Sequence, residues 1–204
     1  MKTFTELNQK LGGNEVASNW HQHKNGGGWI HKKAVVDETA FVGESAIVWS
    51  ARIYGEAQIS GSARISGEAQ ISGEAQIYGS ARIYGEAQIY GSARIYGSAR
   101  IYGEAQIYGS ARIYGSAQIY GSARIYGEAR IYGEAWQTNP LFIIGSKHSL
   151  TNAKHGHIQI GCKCETFKWW AGKEGLAFAI QSGYTKAEIK EYRAYVKLFQ
   201  AVGK

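Results

Sequence analysis

A six-residue period constrains this chain more than any other feature of its sequence. Isoleucine recurs at every sixth position from Ile53 to Ile131, fourteen times in all, and each isoleucine is followed by Tyr or Ser and then by Gly. Weaker copies precede these, with Val35, Phe41 and Ile47 at the aliphatic or aromatic position, which makes seventeen hexads. Self-similarity at a fixed short period predicts a solenoid, in which each unit stacks on its neighbours.

Each hexad predicts one short strand and one corner. In "ARIYGE", strand alternation places Ala and Ile on one face and Arg and Tyr on the other. Gly and the residue after it form the corner, because glycine adopts positive φ without a Cβ penalty. Three corners close a triangular coil of eighteen residues, so each strand lies parallel to the strand eighteen positions later. At roughly 4.8 Å per stacked strand, residues 35–136 form a prism about 27 Å long.

The phrases "IYGEAQ" and "ISGSAR" resemble the hexapeptide repeat of left-handed parallel β-helix proteins, over half of the chain. The resemblance implies a left-handed coil, although right-handed crossovers are the general preference. It also implies a homotrimer, since flat prism sides commonly pack around a threefold axis. The chain departs from the family in placing Gly one residue later than is usual. More loosely, "NGGGWIHKKA" is similar to uncharacterised bacterial and phage proteins that carry "GGW" before such repeats.

The charge of the chain is concentrated at its ends. The formal net charge is +7, which divides into +3 for residues 1–34, −2 for residues 35–136 and +6 for residues 137–204. A positive balance suits nucleic acid, but the nearly neutral repeat makes this weaker than binding of an anionic small molecule or nucleotide at the basic ends. No apolar run is long enough to span a membrane and no signal peptide is evident, so we expect a cytoplasmic protein without membrane partners.

The repeat and the division of charge along the chain therefore predict a mostly β protein in three parts. Residues 1–34 form an N-terminal cap, residues 35–136 the β-helix, and residues 137–204 a basic α+β module. In the module, "HGHIQIGCKC" predicts a strand and "TFKWWAGKEGLAFAI" a helix weakened by glycine. A final helix, "TKAEIKEYRAYVKLF", begins with a capping box formed by Thr185 and Glu188.

Stacking of every eighteenth residue places cations and aromatic rings in columns. One face carries Arg64, Arg82 and Arg100 beside Tyr84 and Tyr102. These residues form either a stiff, soluble coat or a platform that binds phosphate through Arg and rings through Tyr. The near-neutral repeat favours the coat, and the platform stays as the alternative ligand site.

The main candidate site lies in the basic module. The ligand-binding residues predicted for an anionic partner are Lys147, His148, Lys154, His155, His157 and Lys163.

Metal binding by two histidines and two cysteines of this segment is less favoured. Strand alternation places Cys162 and Cys164 on one face and His155 and His157 on the other, unless a bulge at Gly161 exchanges the faces. Without such a bulge, the cysteines are small core residues. We assign no metal ligand and leave open whether the four residues bind one.

The function that best suits this pattern is a non-enzymatic scaffold or binding protein. The resemblance also implies acyltransferase activity as an alternative. Residues 53–131, however, contain no His, Lys, Asp or Cys and no extruded loop. A general base must lie within hydrogen-bond reach of its proton, and only the ends supply one. We therefore assign no catalytic residue and no cofactor. Two further alternatives are sequestration of a nucleotide or other anionic molecule between subunits, and a phage or bacterial fibre or spacer.

Overall fold

The computed structural model describes residues 3–133, 135–136 and 139–203, which form a parallel β-solenoid and a small C-terminal module of helices and antiparallel sheet. In the solenoid each strand pairs with the strands one coil before and one coil after it. Arg82, for example, pairs with Arg64 on one side and with Arg100 on the other. The predicted 18-residue coil is confirmed.

The solenoid has three faces, each a separate sheet. The first sheet begins with β1 (Trp20–Gln22), antiparallel to β2 (Trp29–His31), and continues through parallel β5 (Ile47–Val48), β8 (Arg64–Ile65), β11 (Arg82–Ile83), β14 (Arg100–Ile101), β17 (Gln118–Ile119) and β20 (Ala135–Trp136). The second contains β4 (Phe41–Val42), β7 (Gln58–Ile59), β10 (Gln76–Ile77), β13 (Arg94–Ile95), β16 (Arg112–Tyr114) and β19 (Arg130–Tyr132). The third contains β3 (Val35–Val36), β6 (Arg52–Ile53), β9 (Gln70–Ser72), β12 (Gln88–Tyr90), β15 (Gln106–Ile107) and β18 (Arg124–Ile125).

The solenoid core is built from columns of alanine and isoleucine. Ala81 and Ile83 are typical, because both are fully buried and both stack on the same residue types one coil away. Burial of an isoleucine side chain contributes roughly 1.5–3 kcal/mol relative to exposure. The isoleucine columns therefore supply most of the stabilisation of the coil.

Glycine is required at the corners for two reasons, as Gly79 shows. Its φ of +77° lies in the left-handed region, where a side chain costs roughly 1–2 kcal/mol. A Cβ atom at Gly79 would also lie 2.7 Å from the carbonyl oxygen of Gly97, one coil away. At this corner backbone therefore stacks on backbone, and a side chain at Gly79 would push two coils apart.

The first coil differs from the predicted register. We expected Val35, Phe41 and Ile47 at the inward positions, and this is wrong by one residue. The side chains that stack on the isoleucine columns are those of the next residues along the chain, Val36, Val42 and Val48. Val35 is 51% exposed and Phe41 is 38% exposed, while Ile47 is buried in a separate cluster at the N-terminal end.

A short corner causes this shift. Only Trp49 and Ser50 separate Val48 from Ala51, where later corners have three residues between isoleucine and alanine. The Ser50 hydroxyl donates to the carbonyl oxygen of Gly67 and closes the corner. The sequence does carry a signal for the true register, because an alanine stands two positions before each inward aliphatic residue, as Ala51 does before Ile53.

The N-terminal segment covers the open end of the solenoid. Helix α1 (Phe4–Lys10) and a 3₁₀ helix (Ala17–Asn19) precede β1, and Leu7, Trp20, Trp29 and Ile47 form the core beneath them. Positive φ angles follow α1 at Gly12 and Gly13.

The loop between β1 and β2 covers the exposed edge of β4. The Val42 N–H donates to the carbonyl oxygen of Asn25, and the Val42 carbonyl accepts from the N–H of Gly28. A Cβ atom on Gly28 would lie 2.5 Å from the Val42 side chain, so glycine permits this approach. The free backbone groups of an edge strand are thereby satisfied.

The C-terminal module is an antiparallel sheet with helices on one side. The sheet contains β21 (Phe142–Ile144), β22 (Ser149–Lys154), β23 (His157–Ile160) and β24 (Lys163–Thr166), and three helices follow, α2 (Phe167–Ala171), α3 (Lys173–Gln181) and α4 (Lys186–Val202). The predicted single strand is a hairpin that turns at Gly161 and Cys162, and the predicted glycine-weakened helix is divided at Gly172. The capping box of Thr185 and Glu188 is confirmed.

The sheet of the module lies between the solenoid and the helices. Arg130, on the last coil, donates through Nη1 to the carbonyl oxygen of Gly161 at 2.9 Å and through its backbone to the Thr151 hydroxyl. On the other face, Ile158 and Ile160 pack against the helices. The module therefore closes the C-terminal end of the core. Among the described residues, no helix has both the length and the apolar composition needed to cross a bilayer.

Candidate functional site

The six predicted ligand-binding residues fall into two groups at opposite ends of the antiparallel sheet. Lys147, His148 and Lys163 lie at the end where β21 turns into β22 and β23 into β24. Lys154, His155 and His157 lie at the turn between β22 and β23. The six residues of β22 separate the groups by roughly 17 Å, at about 3.3 Å per residue. The structure therefore presents two smaller clusters rather than one surface.

Lys147 is used within the module. Its Nζ donates to the carbonyl oxygen of Gly183 at 2.8 Å and to that of Ser182 at 3.4 Å, just after α3 ends. The same ammonium lies 4.5 Å from the centre of the Tyr184 ring. These contacts hold the Lys147 ammonium against carbonyl groups at the end of α3.

His148 belongs to a turn that is held against α4. The backbone N–H groups of Lys147 and His148 both donate to Tyr192 Oη, and the Tyr192 hydroxyl donates to the His148 carbonyl oxygen at 2.7 Å. Glu191 accepts from the Ser146 N–H at 2.9 Å and from the Ser146 hydroxyl. These hydrogen bonds lower the pKa of Glu191 below its ordinary value. The turn is thus rigidly positioned, and the His148 side chain projects from it, exposed.

Lys163 is paired. Its Nζ lies 2.8 Å from Glu165 Oε1 and 5.2 Å from the centre of the Trp169 ring. Because the neighbouring carboxylate neutralises the ammonium, Lys163 adds little positive potential to this end of the sheet.

A cavity beside Lys147 and His148 has a mixed lining. Its volume is about 230 Å³, and Glu128, Phe142 and Ile144 line it together with the two basic residues. The carboxylate of Glu128 offsets part of the positive charge, so the cavity does not present an anion site on charge alone.

The second cluster borders the end of the solenoid core. His155 stacks on Trp136, and His157 Nδ1 lies 2.8 Å from the His155 carbonyl oxygen. Lys154 is opposite His157, at a β-bulge that begins after Asn152. Within the described part of the chain, the Lys154 ammonium makes no ion pair or hydrogen bond, so this cluster keeps a free cation.

The cysteines are not core residues on a shared face, which corrects our expectation. Cys162 is exposed in the turn between β23 and β24, and Cys164 is half-buried opposite Gln159. The turn at Gly161 interrupts the alternation on which the expectation rested. Burial raises the pKa of the Cys164 thiol, and the charge of Lys154 opposes that rise. Across residues 3–133, 135–136 and 139–203, no three His, Cys, Asp or Glu side chains come together as metal ligands.

The alternative platform on the solenoid has the predicted geometry. Arg64, Arg82 and Arg100 stack in register. The rings of Tyr84 and Tyr102 lie 5.5 Å apart with planes 10° apart. Similar tyrosine columns run along the other two faces, so this arrangement is a general property of the repeat and not a feature of one face.

Hydrogen bonds between coils explain part of the order in these columns. Tyr78 donates to Gln58 Oε1 at 2.8 Å, and Tyr90 donates to Gln70 Oε1 at 3.2 Å. Each bond joins a tyrosine to a glutamine of the preceding coil. These contacts support the interpretation of the outer columns as a structural coat.

Sequence reasoning missed a set of cations on α4. Four basic residues, which we call the α4 stripe, are spaced four, three and four positions apart and are all exposed; they are Lys186, Lys190, Arg193 and Lys197. The spacing was visible in "KAEIKEYRAYVK", but that helix was interpreted only for the capping box at its start. The stripe is the largest group of exposed basic side chains on any described helix.

Comparison with known families supports the solenoid. The family model described as "YdcK Beta solenoid repeat" matches residues 87–103 and 105–121, in the central coils. The match covers a minor part of the chain, which is therefore similar to this repeat in its central coils. Comparison with curated proteins and with solved structures gave no match.

Proposed function

We propose that this protein is a non-enzymatic scaffold in which a left-handed, trimeric β-solenoid carries a basic module that binds an anionic partner. In this proposal residues 1–34 serve as a cap, residues 35–136 as the stem and residues 137–204 as the binding module. The observation that carries it is the uniformity of the stem. Strand follows strand from β6 to β19 without an inserted loop, and the outward positions beside each isoleucine hold only Arg, Gln, Tyr and Ser.

The charge distribution supports the assignment of binding to the module. Residues 137–204 carry +6, while residues 35–136 carry −2. Among the predicted ligand residues, the cluster of Lys154, His155 and His157 has the free ammonium and an exposed imidazole. We therefore favour this cluster over the group of Lys147, His148 and Lys163, in which both lysine ammonium groups already have partners.

Coverage of both solenoid ends favours a discrete scaffold over a fibre that grows end to end. The loop that contains Asn25 and Gly28 satisfies the edge of β4, and the module covers β19 through Arg130. Self-association through the sides of the prism is then the available mode, with the stacked tyrosine rings as the apolar part of the contact.

Two measurements test the proposal. Light scattering at micromolar concentration should report the mass of three chains, and the mass of one 22.4 kDa chain would exclude the trimer. Binding of labelled inorganic polyphosphate should weaken as salt rises. It should weaken several-fold when Lys154, the free ammonium of the favoured cluster, is changed to Glu, and little when Arg64, Arg82 and Arg100 are changed to Gln.

The opposite ranking of the two variants would place the site on the arginine and tyrosine columns. An acyl-transfer assay with acetyl-CoA and a panel of amines and sugars provides the enzymatic control. Turnover that disappears in His148→Ala or His155→Ala would replace the scaffold proposal with the acyltransferase alternative.

A further inference from the structure

The α4 stripe occupies one side of a long surface helix. Its four residues recur at intervals that bring them to nearly the same angle around the helix axis. They extend over roughly 16 Å, at 1.5 Å per residue. The stripe is therefore a linear array of positive charge and not a scatter of single lysines.

Packing of the opposite side fixes the orientation of this array. Tyr192, Val196 and Phe199 are buried against the sheet. The acidic residues of α4 are Glu188 and Glu191, and they are bound to Thr185 and Ser146, away from the stripe. No carboxylate of α4 therefore neutralises the stripe.

The ammonium groups of the stripe are available to a partner. In the described ranges, Lys186, Lys190 and Lys197 make no ion pair and no hydrogen bond through Nζ. Arg193 donates once, through Nη2 to the carbonyl oxygen of Ala171 at 3.4 Å, and keeps its other donors. This distinguishes the stripe from Lys147 and Lys163, which are engaged within the module.

The side chains beside the stripe favour a nucleic acid over a membrane. Ala194 and Ala201 flank it, so the helix backbone can approach a partner closely. A helix that lies in a bilayer interface needs several large apolar side chains next to its cations. Leu198 is 44% exposed, but Tyr192, Val196 and Phe199 are buried in the core of the module.

The diameter of α4 is compatible with double-stranded DNA, because a helix about 10–12 Å across is admitted by the B-form major groove, which is about 12 Å wide and bordered by phosphates. The major groove of A-form RNA is too narrow to admit the helix in the same way. Lysine predominates in the stripe, and a lysine ammonium acts as a point charge toward phosphate.

We propose that the α4 stripe binds the phosphate backbone of double-stranded DNA without sequence preference. The inference rests on the part of the proposed function in which the module binds an anionic partner; it names that partner and places it on α4 and not on the cluster of Lys154, His155 and His157. Four phosphate contacts predict a plot of log K against log salt concentration with a slope of about −3.6, which corresponds to roughly 150-fold weaker binding at 200 mM than at 50 mM salt.

Fluorescence anisotropy of a labelled short DNA duplex with the full chain tests this. Changing Lys186, Lys190 and Lys197 together to Gln should reduce the salt slope by about 2.7. The control changes Lys24, Lys32 and Lys33 to Gln, which removes the same charge at the other end of the molecule and should leave the slope unchanged. Lysine and glutamine have similar helix propensity, so α4 should keep its far-ultraviolet circular dichroism signal.

Four other results would overturn the inference. Equal loss in the two triple variants would mean that net charge, not the stripe, attracts the duplex. Binding of polyphosphate without binding of the duplex would reject DNA and leave the proposed function standing. Failure to bind either probe would reject both. Binding of phosphatidylserine vesicles in place of the duplex would make the stripe a membrane contact.

Discussion

His155 lies flat against Trp136, with ring centroids 5.1 Å apart and planes 11° apart. Trp136 pairs with Ile119 and takes the place of an isoleucine at the end of a core column. The indole is 1% exposed, and within the described residues its Nε1 has no hydrogen-bond partner. One aromatic residue thus closes the core, and the turn that carries His155 covers it.

Removal of this closing residue should destabilise the junction between the solenoid and the module. Trp136→Ala should lower the free energy of unfolding by about 3–5 kcal/mol, as expected for a buried aromatic side chain. His155→Ala removes only the outer ring and should cost about 0.5–1.5 kcal/mol. Urea denaturation of both variants checks the order. Equal losses would show that Trp136 does not carry the core at this end.

Two corner glycines provide a matched test of backbone stacking. Gly79 and Gly115 have φ angles of +77° and +64°, but a Cβ atom meets Gly97 only in the first case, since nothing lies within 4 Å of the second. Gly115→Ala should cost about 1–2 kcal/mol for the left-handed conformation alone. Gly79→Ala should cost clearly more, because it also separates two coils. The urea midpoints of the two variants measure this difference, and indistinguishable midpoints would contradict close stacking.

Removal of one complete coil should leave the fold intact. Deletion of residues 79–96 joins Tyr78 to Gly97 and keeps every isoleucine column aligned, so the cooperative transition should persist with a smaller denaturant m-value. Deletion of residues 79–87 joins Tyr78 to Gln88 without a corner and should abolish the transition. Urea denaturation followed by circular dichroism distinguishes the two deletions. A cooperative transition in the second deletion would argue against one corner per hexad.

The anchoring of α4 should weaken in acid. Hydrogen bonds with Thr185 lower the pKa of Glu188, and hydrogen bonds with Ser146 lower the pKa of Glu191, from an ordinary value of 4.5. Because both values are lower in the folded state, the carboxylates stabilise it fully above pH 4.5. This stabilisation is lost as pH falls through the folded-state values.

The double variant Glu188→Gln and Glu191→Gln should therefore reduce the dependence of unfolding free energy on pH below 4.5. Glu174→Gln, on exposed α3, is the control and should behave like the parent. Thermal unfolding followed at several acidic pH values provides the measurement. An unchanged slope in the double variant would mean that these carboxylates do not hold the helix.

Much of the architecture could be predicted because its determinants are local and repeated. Alternation within each hexad decides which side chains face inward, and a constant period decides which residues stack. The column of Arg64, Arg82 and Arg100 followed from the period alone. The start of α4 followed from Thr185 and Glu188, whose capping hydrogen bonds lie within four residues.

Only the tertiary structure decided the features that depend on a single residue or on distant packing. The corner at Trp49 and Ser50 is one residue short, and a shift of one residue exchanges the two faces of every strand before it. The turn at Gly161 is similarly decided by pairing of β23 with β24. That pairing placed Lys163 far from Lys154, because antiparallel strands send residues near in sequence to opposite ends of a sheet.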